Sequence, residues 1–119
     1  MLSAAEGAVL AAREAVERKA KDVVVIDLRN LSPVTDYFVI CSGDSDIQVQ
    51  SIARHLKEKL KGAGLDLLRM EGFQDAQWVL MDFGDVVVHV FYQEARAFYS
   101  LERLWGDAPR VNYSQDSII

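Results

Sequence analysis

Two segments of the chain carry apolar residues at the spacing of an amphipathic helix. Near the start, Ser3 and Glu6 have the spacing of a capping box, and an Ala-rich stretch continues to about residue 20. Its predicted apolar stripe is Val9, Ala12, Ala15 and Val16. Further along, Asp46 can cap a second helix, whose apolar positions recur every three or four residues: Val49, Ile52, Ala53, Leu56 and Leu60.

Between these helices lie two short runs that are rich in β-branched and aromatic residues, at 23–28 and 37–42. Both runs are apolar at nearly every position, which predicts two central strands covered on both faces. The segment from Leu65 to Met70 predicts a weaker third strand.

The segment from Trp78 to Phe91 predicts a β-hairpin. Gly84 and Asp85 separate two β-rich arms, and glycine readily takes the positive φ of the first position in a type II′ turn. A two-residue loop gives one wholly apolar face: Val79, Met81, Phe83, Val86, Val88 and Val90. The opposite face is mixed and is the candidate working surface: Trp78, Leu80, Asp82, Val87, His89 and Phe91.

A last helix is predicted from about Glu94 to Trp105, with Tyr99 and Glu102 pointing away from its apolar stripe, which comprises Ala97, Phe98, Leu101, Leu104 and Trp105. Residues 1–106 then form one domain, and residues 107–119, mostly polar and without a period, form a loosely ordered tail. The order of elements predicts an α/β protein, a single-domain αβα sandwich with a mixed β-sheet.

Composition narrows the possible settings and partners. The chain has 119 residues and one cysteine, Cys41, which is expected to be a small buried hydrophobe. No apolar run reaches the length of a membrane span and no secretion signal is evident, so we expect a cytoplasmic protein without a membrane partner. Thirteen basic against eighteen acidic residues give a net charge of −5, which favours a basic protein over RNA as the partner.

The nearest approach to a catalytic motif is the pair Asp44 and Asp46. Two carboxylates after a strand could hold Mg²⁺ for nucleotidyl transfer, but a strand-to-helix turn with a capping Asp explains them more simply. His55 and His89 have no Cys or third His to complete a metal site, and no nucleophile elbow, P-loop or dinucleotide motif occurs. The sequence predicts no cofactor, no metal and no catalytic residue, with a magnesium-dependent nucleotidyltransferase as the alternative.

Four strings occur together and in this order: SPVTDYFVICS at 32–42, EG at 71–72, WVLMDFGDVVVHVF at 78–91 and RAFYSLERLW at 96–105. Over the range from about Leu2 to Ala108 they resemble the Iojap family of ribosomal silencing factors. One small departure is Met81-Asp82-Phe83, where a Leu/Met-Asp-Tyr string is usual.

This resemblance implies a fold similar to that of nucleotidyltransferases, but without their catalytic residues. It further implies docking on the fourteenth protein of the large ribosomal subunit, at the intersubunit face, with little direct RNA contact and with the small subunit kept away. The free protein is expected to be able to form a homodimer. Matching positions suggest these partner-binding residues: Trp78, Leu80, Asp82, His89, Phe91, Tyr99, Leu101 and Glu102.

Overall fold

One five-stranded sheet runs through the middle of the molecule in a computed structural model that describes residues 2–113, apart from the side chain of Phe98. The helices and strands, in chain order, are α1 (Ala4–Glu17), β1 (Lys21–Asp27), β2 (Tyr37–Gly43), α2 (Asp46–Gly62), β3 (Arg69–Glu71), β4 (Trp78–Asp82), β5 (Val86–Tyr92), α3 (Gln93–Tyr99) and α4 (Leu101–Leu104). The strand order is β1-β2-β5-β4-β3; β2 and β5 are parallel, and the other pairs are antiparallel.

Helices cover both faces of this sheet. On the first face, α1 and α2 pack over the main core, to which all five stripe residues of α2 contribute. On the second face, α3 and α4 cover a smaller core built around Ile26, Ile40 and Phe91. The predicted single-domain αβα sandwich with a mixed sheet is confirmed.

The first helix has the predicted N-terminal cap, but the face that it buries is not the predicted one. Ser3 Oγ accepts a hydrogen bond from the Glu6 backbone N–H, and the Glu6 carboxylate accepts one from the Ser3 N–H. The buried stripe consists of small residues, Gly7, Ala8, Ala11, Ala12 and Ala15, whereas the predicted stripe residue Val16 is exposed and Val9 only half-buried. Small side chains let this helix approach the sheet closely, and a Cβ at Gly7 would lie 2.6 Å from Leu65 Cδ1.

The second helix buries all five residues of its predicted stripe, which confirms that prediction. Its N-cap, however, is Ser45, whose Oγ accepts a hydrogen bond from Gln48 N–H at 3.1 Å. Asp46 lies in the first turn instead. There its carboxylate accepts from the neighbouring backbone N–H of Ile47, at 2.8 Å.

The first strand is at an edge of the sheet, not at its centre as predicted. Its free edge is covered by the C-terminal segment: Asp27 N–H donates to Pro109 O at 2.8 Å, and Val111 N–H donates to Val25 O at 2.9 Å. Tyr113 adds a hydrogen bond from its hydroxyl to the carbonyl oxygen of Val23. An edge strand with a buried side needs such partners for its backbone groups.

These contacts correct the predicted tail. Residues 109–113 are held along β1, where the sequence predicted a loosely ordered segment, and Ala108 is buried. The remainder of the predicted tail, 114–119, lies outside the described residues.

The hairpin has the predicted two-residue loop: Phe83 N–H donates to Val86 O at 2.9 Å, and Asp82 faces Val87 in the ladder. Gly84 has φ +93° and Asp85 has no positive φ, as in a type II′ turn. The strand before it, β3, is shorter than predicted, with only three residues. The apolar face of the hairpin is buried in the main core, as predicted.

The last predicted helix is broken in two. Ser100 adopts a left-handed conformation, with φ 50° and ψ 42°, so α4 starts in a new direction. The predicted continuous stripe is therefore wrong: Ala97 and Leu104 are exposed, while Leu101 and Trp105 pack against the smaller core.

Candidate partner-binding surface

The second face of the sheet is left open near the hairpin turn, because α3 and α4 cover only its other part. A groove of about 300 Å³ lies there. Its floor and walls include Val34, Leu68, Leu80, Asp82, Val87 and His89. Val34 and Leu68 are 82% and 68% exposed, so two apolar side chains face solvent on the walls of this groove.

Next to the groove, an aromatic cluster forms on the same face from Phe38, Trp78, His89, Phe91, Tyr99 and Trp105. The Trp78 indole is stacked on Phe91 with ring centroids 5.1 Å apart, and Tyr99 lies against the indole at 4.8 Å. Trp78 and Phe91 face each other directly in the ladder between β4 and β5, and α3 carries Tyr99 to the pair. Aromatic pairs in such geometry add to the stability gained from burial.

His89 is the buried polar member of this cluster, and 2% of it is exposed. Its Nδ1 accepts a hydrogen bond from the indole Nε1–H of Trp78 at 3.0 Å. Burial lowers the pKa of His89 to about 4, so the ring is neutral at pH 7 and carries its one proton on Nε2. Within residues 2–113, Nε2 of His89 is the buried side-chain nitrogen or oxygen that has no hydrogen-bond partner.

Asp82 contributes a carboxylate to the rim of the groove. One of its oxygens accepts a hydrogen bond from Gly84 N–H at 2.8 Å, which holds the hairpin turn. The other oxygen has no ion pair or hydrogen bond to any described residue, so it is available to a cation. Asp82 therefore has a structural contact on one oxygen and an open site on the other.

All eight residues predicted to bind a partner lie on the second face or in the helices above it. The structure separates them by accessibility. His89 and Phe91 are buried, Leu101 packs against the smaller core, and Glu102 pairs with Arg96 at 2.7 Å. Trp78, Leu80, Asp82 and Tyr99 keep accessible surface.

The sequence analysis did not single out Val34 and Leu68, the exposed apolar residues that line the groove, and it placed the exposed Leu104 in a buried stripe. Val34 belongs to the string that carried the family resemblance, and that membership was the available signal. Leu104 had been assigned to a buried stripe because the break at Ser100 has no distinct signature in the sequence.

A larger cleft of about 460 Å³ lies beside α3, but two of its charged groups, Arg96 and Glu102, are paired with each other. Arg96 donates from Nε to Glu102 at 2.7 Å and from Nη1 to Ser42 Oγ at 2.8 Å. The Arg96 guanidinium also holds the pKa of the Glu102 carboxyl below its usual range. We therefore regard the groove, which has an unpaired donor and exposed apolar walls, as the better candidate site.

The two aspartates that suggested metal chemistry have ordinary structural contacts. Asp44 forms an exposed ion pair with Lys21 at 2.9 Å, and Asp46 lies in the first turn of α2. Across the described part of the chain, no three His, Cys, Asp or Glu side chains are placed to hold a metal ion together. His55 lies 2.8 Å from Glu14, so it links α2 to α1 as a satisfied polar residue.

None of the helices in residues 2–113 combines the length and apolar character of a membrane span.

The sequence matches a family model described as "Ribosomal silencing factor during starvation" over residues 2–118. The chain belongs to this family. Ribosomal silencing factor RsfS of Bacillus subtilis is 50% identical over 100 residues, which cover 84% of this chain and 85% of that protein. Membership supports a ribosome-associated role in silencing translation, and the family is named for silencing rather than for an enzymatic reaction.

Two further relatives extend the comparison. A crystal structure of a protein from Chromobacterium violaceum superposes with a TM-score of 0.86 at 37% identity, covering 88% of each chain. A mouse protein named "Mitochondrial assembly of ribosomal large subunit protein 1" is 34% identical over 92 residues, 75% of this chain and 40% of that protein. The fold and the family are thus supported by independent comparisons of sequence and structure.

Proposed function

We propose that this protein binds the large ribosomal subunit through its fourteenth protein at the intersubunit face and thereby keeps the small subunit from joining. The observation that carries the proposal is the open groove on the second face of the sheet, in a chain that belongs to the ribosomal silencing factors. The mouse relative, whose name refers to the large subunit, supports the choice of subunit.

The chemistry of the surface suits a basic protein partner. Asp82 offers an unpaired carboxylate oxygen beside the apolar side chains of Leu80 and Val34. The chain as a whole has a net charge of −5, which attracts a cationic protein and disfavours broad contact with phosphates. We therefore expect protein contacts to dominate and direct RNA contact to be slight.

The proposed action is steric exclusion. A folded body of 13.3 kDa at a contact point between subunits occupies the space that the small subunit needs. No bond is made or broken, so the action depends on affinity and position alone. The expected result in the cytoplasm is repression of translation, with no cofactor and no metal required.

The same exposed apolar residues suggest a homodimer of the free protein. Two copies that cover each other's groove would remove Val34 and Leu68 from water, and the ribosomal partner would compete for the same surface. Light scattering at micromolar concentration checks this part of the proposal. A mass of one chain across that range would refute the dimer and leave the ribosomal proposal intact.

Sedimentation with purified ribosomal subunits tests the main proposal. The protein should travel with the large subunit, should not travel with the small one, and should lower the yield of joined ribosomes. A protein that ignores the large subunit, or that binds it without reducing joining, would refute the mechanism.

A charge-neutralising variant locates the contact. Asp82→Asn removes the charge but keeps the side-chain oxygen that accepts from Gly84 N–H, so the turn should survive. We expect a loss of affinity of about 10-fold at low salt that shrinks as salt is raised. Glu58→Gln, an exposed change of the same charge on α2 at the opposite side of the sheet, is the matched control. Equal losses in both variants would assign the effect to net charge instead of this groove.

A further inference from the structure

We propose that the Nε2–H of His89, which is buried beneath the groove in the free protein, is a hydrogen-bond donor for the partner and that, once a neighbouring side chain shifts, it binds a backbone carbonyl of an extended segment of the partner. The proposal rests on the proposed function for the identity of that partner, a basic ribosomal protein. It adds the chemistry by which the groove recognises what enters it.

The imidazole of His89 has a buried N–H donor without an acceptor. His89 is almost completely buried and lines the groove, and its Nδ1 is engaged by Trp78 at 3.0 Å. The proton must then be on Nε2, and that atom has no acceptor within residues 2–113. An unpaired buried donor is costly and rare in a folded protein, so its presence in a groove indicates an acceptor that arrives with a ligand.

Among the aromatic rings around the imidazole, that of Phe38 has the shortest centroid distance, 4.4 Å, with the planes at 69°. An aromatic face accepts an N–H only weakly, and so it replaces a carbonyl oxygen poorly. A carbonyl that enters the groove would take over the proton.

The charge of Asp82 favours a neutral acceptor over an anionic one. Asp82 lines the same groove and has an unpaired oxygen, whereas Arg69, the cation that also lines it, is paired with Glu71 at 3.0 Å. An anionic acceptor such as a carboxylate or phosphate would therefore be repelled by Asp82. A neutral carbonyl meets no such penalty. A Lys or Arg side chain on the same segment could at the same time pair with Asp82.

Two exposed apolar side chains form walls of the groove. Val34 and Leu68 are exposed on opposite loops, one before β2 and the other before β3, and both line the groove. A volume of about 300 Å³ holds one or two side chains of an extended segment and is too small for a helix. Apolar walls, a buried donor and a carboxylate on the rim together fit a short stretch of basic polypeptide.

Two substitutions of His89 separate the donor from the shape of the ring. His89→Phe fills the same space without an N–H, whereas His89→Gln can place an amide N–H near the position of Nε2. We expect His89→Phe to bind the large subunit about 10- to 100-fold more weakly and His89→Gln to retain affinity within about threefold. Circular dichroism and thermal unfolding report whether each variant is folded.

A second pair of variants avoids any question of folding. Val34→Lys puts a cation on the exposed wall of the groove and should abolish binding by a basic segment. Ile47→Lys makes the same change at a residue that is 74% exposed on α2, away from the groove, and should bind like the wild type. Equal binding by both variants would overturn the proposal.

Nitrogen NMR of histidine-labelled protein provides a direct readout with the isolated fourteenth large-subunit protein. The free protein should show a neutral Nε2–H tautomer at His89, and binding should move its proton downfield and slow its exchange. Binding without any change at this proton would overturn the donor role while leaving the proposed function standing. Failure of the wild-type protein to bind either the subunit or the isolated protein would overturn the proposed function and this inference with it.

Discussion

The indole Nε1–H of Trp78 donates to Nδ1 of His89 across two neighbouring strands, at 3.0 Å. This one hydrogen bond determines which ring nitrogen of His89 carries the proton. Because Nδ1 accepts the hydrogen bond from Trp78, the single ring proton of the neutral imidazole is on Nε2, the atom proposed to bind the partner.

Trp78→Phe should remove this donor and leave Nδ1 of His89 without its partner. We expect a loss of about 1–3 kcal/mol in the free energy of unfolding, because a buried acceptor is left unpaired and part of the ring stacking on Phe91 is lost. Chemical denaturation measures the loss. Nitrogen NMR should in addition show that the His89 tautomer is no longer purely Nε2–H, and an unchanged tautomer would contradict the role assigned to Trp78.

The buried imidazole should make stability depend on pH. Burial lowers the pKa of His89 from its ordinary value of 6.5 to about 4, so below pH 6.5 the unfolded chain takes up a proton that the folded chain does not bind. Stability from this group is complete above pH 6.5 and is lost as the pH falls towards 4, with a slope of up to about 1.4 kcal/mol per pH unit.

His89→Gln supplies the control for that measurement. Between pH 7.5 and pH 5.0 the wild type should lose about 2 kcal/mol more unfolding free energy than this variant. The two proteins differ only at position 89, so the difference between their losses isolates this residue. Parallel losses in the two proteins would mean that His89 titrates normally.

Gly72 should be irreplaceable on steric grounds. Its φ is +80°, and an added Cβ would lie 2.1 Å from the carbonyl oxygen of Trp78, a backbone atom that cannot move aside cheaply. Gly72→Ala should lower the free energy of unfolding by at least about 2 kcal/mol, as measured by denaturation. Gly62→Ala, at the end of α2 with nothing within 4 Å of the added carbon, should be neutral or slightly stabilising.

The Arg96–Glu102 pair should stabilise the break between α3 and α4. Arg96 is 11% exposed in its side chain, so Glu102→Gln leaves a buried guanidinium without its counterion and should cost about 1–3 kcal/mol of unfolding free energy. Glu71→Gln breaks an exposed pair with Arg69 at 3.0 Å and should cost less than about 0.5 kcal/mol. Equal effects in thermal unfolding would contradict the structural role of the buried pair.

The Arg96–Glu102 pair should stabilise the folded protein less as the pH falls. Because Arg96 lowers the pKa of Glu102, the stabilisation is present above the ordinary pKa of a glutamate and is lost as the pH falls through the lowered value. The loss from this pair begins near pH 4.5, whereas the loss from His89 begins near pH 6.5, so the effect of His89 can be measured alone between these two values.

Much of the candidate surface could be derived from the hairpin alone. A two-residue loop fixes the register of both arms, so the division into an apolar and a mixed face follows from alternation. The structure agrees on every member of the apolar face. It also places the residues of the mixed face together on the other side of the sheet.

The sequence alone could not predict which side chains of that mixed face are exposed to solvent. His89 and Phe91 are buried because α3, α4 and Phe38 pack over them, and nothing in the local pattern tells how far a later helix reaches. The sequence did not single out Val34 and Leu68 for the same reason, because a residue lines a groove only when a distant segment of the chain lies opposite to it. Only the packing of the helices on the sheet shows which of these side chains are buried and which line the open groove.

The sequence by itself determined the features governed by neighbours along the chain: the capping box at Ser3, the buried stripe of α2 and the register of the hairpin around Gly84. The tertiary structure decided which strand became an edge, how the segment ending at Tyr113 covers it, and where Ser100 breaks the last helix. The physical reason is that helix period and turn length are local constraints, whereas edges, breaks and burial depend on contacts between segments far apart in the chain.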